Sequence, residues 1–392
     1  MSENFTQNAT LKTQHSFKLP QFGTTIFTVM SQLANEHQAI NLAQGFPNFP
    51  CSDQLVDLVT FYMKTGHNQY APMPGVAALR EQIAKKTALL YGHLPDSNSD
   101  ITITCGATEA VFSTITTCVQ PGDEVIVFEP AFDIYAPAIS LCGGALKPVA
   151  LSLPDYRLDH ELLAKSISSK TKLIILNSPH NPSGAIVSHE DMLFLEQLLK
   201  GTDILLLSDE VYEHIVFDGK KHHSAHEYPD LRNRSFVISS LGKTYHTTGW
   251  RMGYVIAPKA LMAEFRKVHQ YITFSAHTPS QYAFAEFMKD ESQYLGLNDF
   301  FQQKRDLFLN ALKTSRFKVI PTAGTYFQFL SYQGMSDGND VAYATQLTAI
   351  HGVAAIPVSV FYQEPQNNHM LRFCFAKDEE TLLKAAEKLC KI

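Results

Sequence analysis

The chain has 392 residues, of which 45% are hydrophobic and 18% charged, values that are usual for a globular protein of two or three domains. Its 32 basic and 38 acidic side chains give a net charge of −6, which offers no electrostatic reason to bind nucleic acid or an anionic membrane. The apolar runs are far shorter than the roughly 20 residues that cross a bilayer, and the opening MSENFTQNATLKTQHS has no apolar signal-peptide core. The six cysteines form no CxxC pair, so we expect free thiols in a reducing cytoplasm.

The middle of the chain alternates short β-branched runs with longer amphipathic segments. This alternation predicts a mostly parallel sheet covered by helices on both faces. The predicted strands are Ile101–Thr104, Val125–Phe128, Leu173–Leu176, Ile204–Leu207, Phe236–Ser239 and Tyr254–Ala257, and the predicted helices include Thr108–Val119, Glu190–Leu199 and Leu261–Val268.

The pattern changes after about residue 280, where helices precede several strands. We therefore predict a large domain over 45–280 and a smaller α/β domain that combines 281–392 with 1–44. The elements predicted there are helices at Gln281–Met288, Lys304–Leu312 and Glu379–Leu389 and strands at Phe317–Ile320, Tyr326–Phe329, Val353–Ile356 and Met370–Phe375.

Polar side chains follow several predicted strands, and in open α/β sheets ligands bind at the carboxyl ends of strands. After the first strand come Gly106, Ala107 and Thr108, whose backbone amides could bind a phosphate at the start of a helix. An ordinary capped turn is the alternative. After Leu173–Leu176 the segment NSPHNPSG presents the amide of Asn181, and a plain loop is the alternative there.

Two further strand ends carry charged groups. Asp209 follows an apolar strand directly, so we expect it to be partly buried beside a cationic partner, with Tyr212 facing the same way; a helix N-cap is the alternative. In SSLGKTYHTTGWR, Lys243 lies between Ser240 and Arg251. These groups suit a phosphate ester that carries an aldehyde and a pyridine nitrogen, because lysine condenses with aldehydes and an aspartate keeps the ring protonated.

These residues resemble those of the fold-type I pyridoxal-phosphate-dependent aminotransferases of class I/II. The resemblance runs from about Leu19 onward and rests on SLGKTYHTTGWR, NPSG, DEVY and the arginine of LRFCFA. It implies a large domain with a mostly parallel seven-stranded sheet between helices, a smaller α/β domain from the two termini, pyridoxal 5'-phosphate as cofactor and a homodimer with shared active sites.

The resemblance also implies a role for each matching residue. Lys243 would bind the cofactor covalently and move the substrate proton, and Arg372 would hold the substrate α-carboxylate. For the cofactor ring, it implies that Asp209 contacts the nitrogen, that Tyr212 and Asn181 bind the phenolic oxygen and that Phe132 stacks on the face. The phosphate would be bound by Gly106, Ala107, Thr108, Ser240 and Arg251, together with Tyr70 of the neighbouring subunit. The substrate pocket would be lined by Gly45, Phe22, Gly23, Ile26, Phe46 and Phe274.

Within the family, four segments are similar to those of bacterial methionine aminotransferases, which are relatives of kynurenine and glutamine aminotransferases. The segments are LPQFGTTIFT, NLAQGFPNF, SDEVYEHI and SLGKTYH. We therefore expect methionine as the amino donor, with aromatic amino acids and perhaps glutamine or kynurenine accepted. A cysteine-S-conjugate β-lyase or a decarboxylase that uses the same cofactor is the alternative, since fold does not decide the reaction.

Proteins of other classes fit less well. Val237 replaces the first glycine that a GxxxxGK[ST] nucleotide-binding loop needs. A zinc site would have to use His222, His223 and His226, but GKKHHSAHEYPD is typical of a solvated loop, and we expect no metal there.

Overall fold

The structure is a computed structural model that describes residues 17–392. Residues 1–16, part of the predicted 1–44 segment, lie outside the described residues. The strands are β1 (Ile40–Asn41), β2 (Ile101–Thr104), β3 (Glu124–Glu129), β4 (Ala145–Ala150), β5 (Thr171–Asn177), β6 (Leu205–Asp209), β7 (Ser235–Ser240), β8 (Gly253–Ile256), β9 (Lys318–Val319), β10 (Phe327–Ser331), β11 (Val353–Ala354), β12 (Ile356–Pro357) and β13 (Met370–Cys374).

Helices cover the strands along most of the chain. They are α1 (Ile26–Glu36), α2 (Asp53–Lys64), α3 (Ala77–Tyr91), α4 (Gly106–Cys118), α5 (Tyr135–Leu141), α6 (His160–Ser166), α7 (His189–Leu199), α8 (Pro229–Arg232), α9 (Leu241–Thr244), α10 (Lys259–Ile272), α11 (Thr278–Phe287), α12 (Ser292–Leu295), α13 (Leu297–Ala311), α14 (Asp340–His351) and α15 (Glu379–Leu389). Within residues 17–392, no helix is both long and apolar enough to span a membrane.

The large sheet has seven strands in the order β2-β8-β7-β6-β5-β3-β4. All pairs from β7 to β4 are parallel, whereas β8 runs antiparallel to both of its neighbours. Strands covered on both faces are expected to be apolar runs, and β5 is buried at every residue but one. The predicted α/β class and the mostly parallel seven-stranded sheet are confirmed.

Strand β4 was not among the predicted strands. This strand lies at the edge of the sheet and contains Pro148, which cannot donate a ladder hydrogen bond and is tolerated at an edge. The predicted helix Lys304–Leu312 was also too short, because α13 begins a full two turns earlier, at Leu297.

A second group of strands comes from the C-terminal part of the chain. Strands β12, β13, β10 and β9 form an antiparallel sheet, and β1 pairs in parallel with β11, where Ile40 lies opposite Val353. That pairing joins the segment before residue 44 to the C-terminal part of the chain. The domain division at residues 44 and 280 stays a prediction.

One glycine turn ties the two sheets together after β5. Gly184 has φ +73°, and a Cβ at this position would lie 1.6 Å from Thr322 Oγ1 and 2.8 Å from the carbonyl oxygen of Gly324. Only a residue without a side chain fits, because both the backbone conformation and the space exclude a methyl group. The amide of Gly324 donates back to the Gly184 carbonyl at 2.8 Å.

We predict that Gly184→Ala destabilises the protein more than Gly201→Ala does. Gly201 has a similar φ of +76° but open space where a Cβ would lie. Gly201→Ala therefore measures only the cost of an alanine at positive φ, about 1 kcal/mol. Steric overlap at Gly184 adds about 1–3 kcal/mol. Denaturant unfolding of both variants measures the difference, and equal losses of stability would contradict the close approach.

Candidate active site

The carboxyl ends of β2, β5, β6 and β7 surround one cavity of about 210 Å³. Most of the residues that we predicted for the site line it. They are Gly45, Ala107, Thr108, Phe132, Asn181, Asp209, Tyr212, Ser240, Lys243, Arg251 and Arg372, and the residues that the sequence analysis missed are Phe27, Gln44, Val111, Ile134, Asn177, Val211 and Phe327.

One end of the cavity is built from the start of α4. Gly106 has φ +79°, and a Cβ there would lie 2.7 Å from Arg251 Nη2, so the glycine allows the guanidinium to reach the helix terminus. Arg251 Nη2 also donates to Thr108 Oγ1 at 3.2 Å. Ser240 lies beside them and accepts a hydrogen bond from the amide of Lys243 at 3.3 Å. A guanidinium, two hydroxyls and the amides of a helix N-terminus are together suited to bind a phosphate.

The Asp209 carboxyl lies at the end of β6 and is 4% exposed. Within residues 17–392 no cation forms a salt bridge with it: the Tyr135 hydroxyl donates to Oδ2 at 2.6 Å and the amide of Val211 donates to Oδ1 at 3.4 Å. Burial raises the pKa of Asp209 from its ordinary value of 3.8 to about 6. A buried carboxyl without a cation is incompletely satisfied, and a positively charged ligand group in the cavity would complete it.

The residues after Asp209 divide between the cavity and the interior. Tyr212 lines the cavity, whereas Glu210 and Glu213 are buried away from it. Glu213 accepts from Lys86 Nζ and from the Tyr91 hydroxyl, both at 2.6 Å. Burial alone would raise the pKa of Glu213, but Lys86 lowers it well below its ordinary range. These buried contacts hold the turn that carries Tyr212.

The histidine stretch after this turn is not the solvated loop that we predicted. His222 and His226 are buried, and His222 Nε2 lies 2.9 Å from the Glu210 carboxylate. Burial would raise the pKa of Glu210, but His222 lowers it below its ordinary value. Glu210 thus gives the buried His222 a partner. Among residues 17–392, no group of three or more His, Cys, Asp or Glu side chains could hold a metal ion.

The Lys243 amine lies between the two sheets. Its Nζ donates to the Gly45 carbonyl at 3.2 Å and to the Tyr326 hydroxyl at 3.0 Å. Burial lowers the pKa of Lys243 from its ordinary value of 10.5 to about 8, so about a tenth of the amine is neutral at pH 7, far more than for an exposed lysine.

Arg372 comes from β13 and is fully buried. Its Nη1 donates to Asn181 Oδ1 at 2.7 Å and its Nη2 to the Ala43 carbonyl at 3.3 Å, while its Nε has no partner among the described residues. The guanidinium lies 3.9 Å from the ring centroid of Phe327. Burial lowers its pKa to about 10, and it remains cationic at neutral pH. A buried cation with an unused N–H at the cavity wall is suited to bind a carboxylate.

Seven predicted residues do not line the cavity of the single chain, namely Gly106, Gly23 and Ile26 and the aromatic residues Phe22, Phe46, Phe274 and Tyr70. Phe22, Phe46 and Phe274 are about 40% exposed, and Tyr70 is 84% exposed, with its ring edge-on to Phe274 at a centroid distance of 5.5 Å. The missed residue Tyr135 had a signal in the sequence, since it follows Phe132 by one helical turn. Tyr326 and Phe27 had none, because contacts between distant segments place them.

This cavity is that of a pyridoxal-phosphate-dependent aminotransferase. Residues 37–389 match the family model of aminotransferase class I and II, and the chain belongs to that family. The chain is 52% identical to the methionine aminotransferase of Escherichia coli, over 95% of this chain and 97% of that protein. The crystal structure of YbdL from Escherichia coli, identified as a methionine aminotransferase, superposes with a TM-score of 0.95 at 51% identity, over 96% and 99% of the two chains. Human kynurenine–oxoglutarate transaminase 1 is 33% identical, over 92% and 94%.

We predict that the cofactor-free protein loses stability relative to its Asp209→Asn variant as the pH rises. The raised pKa of Asp209 means that the folded chain keeps a proton that the unfolded chain has released above about pH 4. The protonated carboxyl therefore makes its full contribution to the free energy of unfolding below about pH 4, and this contribution is lost as the pH rises through about 6. A pKa that differs by about two units between the folded and the unfolded chain corresponds to a change of about 3 kcal/mol in the free energy of unfolding. Urea unfolding of both proteins at pH 4 and pH 7 measures this change, and a difference that does not vary with pH would contradict the burial of the carboxyl.

Proposed function

We propose that this aminotransferase transfers the α-amino group of methionine to a 2-oxo acid, and that it also accepts aromatic amino acids, with glutamine or kynurenine as further donors. The observation that carries the proposal is the position of the Lys243 amine in a cavity between a buried carboxyl, Asp209, and two arginines, Arg251 and Arg372. The cavity thus offers a site for a covalent bond, one for a ring nitrogen and one for each of two anions.

The residues of the cavity fit pyridoxal phosphate. Its phosphate would be held by Arg251, Ser240 and the start of α4 from Gly106 to Thr108, where the glycine leaves room for the guanidinium. The incompletely satisfied Asp209 carboxyl fits a protonated ring nitrogen. Phe132 would cover the face of the ring. Tyr212 and Asn181 would donate to its phenolic oxygen.

When bound, pyridoxal phosphate supplies an aldehyde that reacts with amines and a ring that accepts electrons from the substrate Cα. The chain supplies the proton transfers. The neutral amine of Lys243 would take the proton from the substrate Cα and then give it to C4′ of the cofactor, a double role that its lowered pKa of about 8 favours. Asp209 keeps the ring nitrogen protonated, since its carboxyl is ionised at neutral pH.

Arg372 would bind the α-carboxylate of every amino acid donor. Its unpartnered Nε and the neighbouring amide of Asn181 would face that carboxylate. Because every donor carries this group, Arg372 fixes the orientation of the substrate without choosing among side chains.

The choice of side chain falls to the apolar wall. Phe27, Ile134 and Phe327 line the cavity, and among residues 17–392 no arginine besides Arg251 and Arg372 lines it. Sulfur packs well against the edges of aromatic rings, so a thioether or an aromatic ring suits this wall and a second carboxylate does not. The 52% identity to a methionine aminotransferase, against 33% to a kynurenine transaminase, supports methionine as the preferred donor.

A homodimer would complete the site. Tyr70, Phe274, Phe22 and Phe46 lie outside the cavity of a single chain and leave aromatic surface exposed. We propose that a second copy of the chain brings Tyr70 to the phosphate and Phe274 to the substrate pocket, and that the enzyme acts in the cytoplasm on small molecules.

Arg372→Lys is predicted to lower kcat/KM by about 100-fold for all amino donors alike. Lysine keeps the charge but loses the two-pronged contact with the carboxylate, a loss of about 3 kcal/mol. Steady-state kinetics with methionine, phenylalanine and leucine measures the effect. A loss confined to one donor would contradict a role in binding the shared α-carboxylate.

A panel of amino donors with one fixed 2-oxo acid tests the substrate. We expect methionine to have the highest kcat/KM, and phenylalanine and leucine to follow within about 200-fold, since an apolar pocket separates such side chains by about 1–3 kcal/mol. Aspartate and glutamate should be poor donors. If aspartate exceeds methionine, the assignment of the apolar wall is wrong.

Light scattering coupled to size-exclusion chromatography tests the assembly. The chain has a mass of 43.8 kDa, so we expect the active species to have about twice that mass. Tyr70→Phe should weaken the binding of pyridoxal phosphate without changing the mass. An active species with the mass of one chain would exclude a shared site.

A further inference from the structure

Tyr326 is a buried tyrosine that no motif in the sequence indicated. It immediately precedes β10 and is fully buried, with its ring edge-on to Tyr212 at a centroid distance of 5.1 Å. Its hydroxyl oxygen lies 2.7 Å from the carbonyl oxygen of Gly45 and 3.0 Å from Lys243 Nζ. Lys243 Nζ is also 3.2 Å from the same Gly45 carbonyl, so the three groups form a triangle.

The chemistry of the three groups fixes the direction of every hydrogen bond in the triangle. A carbonyl oxygen only accepts, so both Tyr326 and Lys243 donate to Gly45. A hydroxyl has one hydrogen, and Tyr326 has already given it to Gly45. Burial raises the pKa of Tyr326 well above 10, so the hydroxyl keeps that hydrogen at any working pH. Towards Lys243 the hydroxyl can therefore act only as an acceptor.

It follows that Lys243 donates twice and accepts nothing in the triangle. A neutral amine has two N–H groups and one lone pair. Gly45 and Tyr326 take one N–H each, which leaves the lone pair without a donor from either group. A protonated amine would keep the same two contacts and have one further N–H to give away. The triangle thus accommodates the amine before and after it takes up a proton.

We propose that Tyr326 is a positioning residue for proton transfer by Lys243, holding the amine by its N–H groups, together with the Gly45 carbonyl, whenever the amine is not bonded to the cofactor. This inference rests on the proposed function of Lys243. In the step concerned, the Cα–H bond of the substrate breaks, its proton goes to the lone pair on Nζ, and its electron pair passes to the bound cofactor. The ammonium would then give the proton of its third N–H to C4′ of the cofactor, which restores the neutral amine.

Removing the Tyr326 hydroxyl should have two opposite effects on Lys243. A hydrogen bond from a charged donor is stronger than one from a neutral donor, so Tyr326→Phe destabilises the ammonium more than the amine. The pH at which Lys243 titrates should then fall by about half a unit to one unit. The neutral amine becomes more abundant, yet it is held less well, and kcat should fall about tenfold with KM changed by less than about twofold.

Tyr332→Phe is the matched control. Tyr332 is likewise fully buried, immediately follows β10, and its hydroxyl donates to a backbone carbonyl, that of Gly338, at 3.1 Å. It does not line the cavity. The control therefore loses a comparable hydrogen bond at the other end of the same strand, and we expect its kinetics and its Lys243 titration to match those of the wild type.

Two measurements on the full-length proteins test the proposal. The first is the pH dependence of the rate at which cofactor-free protein takes up pyridoxal phosphate, followed by absorbance, whose midpoint reports the titration of Lys243. The second is the kinetic isotope effect on kcat with Cα-deuterated methionine, or with the best donor of the panel. In Tyr326→Phe the midpoint should fall and the isotope effect should rise, because proton transfer becomes more rate-limiting.

The outcomes separate this inference from the proposed function. If Lys243→Ala takes up the cofactor with the same absorbance band as the wild type, the proposed role of Lys243 fails. If Lys243 is required but Tyr326→Phe matches Tyr332→Phe in midpoint and isotope effect, only the inference about Tyr326 is overturned. A rise in KM with an unchanged isotope effect would also overturn it. Should Tyr326→Phe fail to fold, Tyr326→Met with Tyr332→Met as control makes the same comparison, since methionine fills irregular gaps.

Discussion

The parallel pairing of β3, β5, β6 and β7 is the constraint on which the rest of the structure depends. Parallel strands end at the same edge of a sheet, so residues far apart in the sequence are brought together there. Asn177 and Asp209 are paired residues on neighbouring strands, and Ser240 ends the next strand along. The antiparallel β8 returns the chain so that the end of β2 reaches the same edge and the start of α4 faces Arg251.

Charged side chains cluster at this edge of the sheet. Some of them are buried with partners in the protein, and others face the cavity. Glu210 and Glu213 point inward, where His222, Lys86 and Tyr91 satisfy them. Removing one partner of such a buried pair typically costs about 3–5 kcal/mol, so these contacts hold the turn firmly. Asp209 and Arg372 face the cavity, and among residues 17–392 the Asp209 carboxyl has no salt bridge and the Nε of Arg372 has no hydrogen-bond partner. The buried contacts of Glu210 and Glu213 thus fix the position of the neighbouring residues Asp209 and Tyr212, which face the cavity.

The sequence predicted the sheet and the cofactor end of the cavity because both are encoded locally. Apolar runs followed by Gly106, Asp209 and Lys243 mark strand ends without knowledge of the fold. The edge strand β4 was missed because Pro148 and its exposed residues lack the apolar pattern. The burial of His222 could not be predicted either, since its partner Glu210 lies on another segment.

The substrate end of the cavity was the least predictable. Phe27 from α1, Phe327 from β10 and the Tyr326 hydroxyl meet Lys243 and Arg372 only because the second sheet packs across the edge of the first. Tertiary packing sets these contacts, and no motif encodes them. Four of the aromatic residues that the resemblance placed in the site, Phe22, Phe46, Tyr70 and Phe274, lie outside the cavity of the single chain, and the predicted role of Tyr70 in a neighbouring subunit's site stays a prediction.

The central claim is that the Lys243 amine is the group that holds the cofactor. Borohydride reduction of the purified enzyme loaded with pyridoxal phosphate, followed by protease digestion and mass spectrometry, tests this claim most directly. The account predicts that one peptide, the one containing SSLGKTYHTTGWR, carries the reduced cofactor on Lys243. A stable label on any other lysine, with Lys243 unmodified, would contradict it.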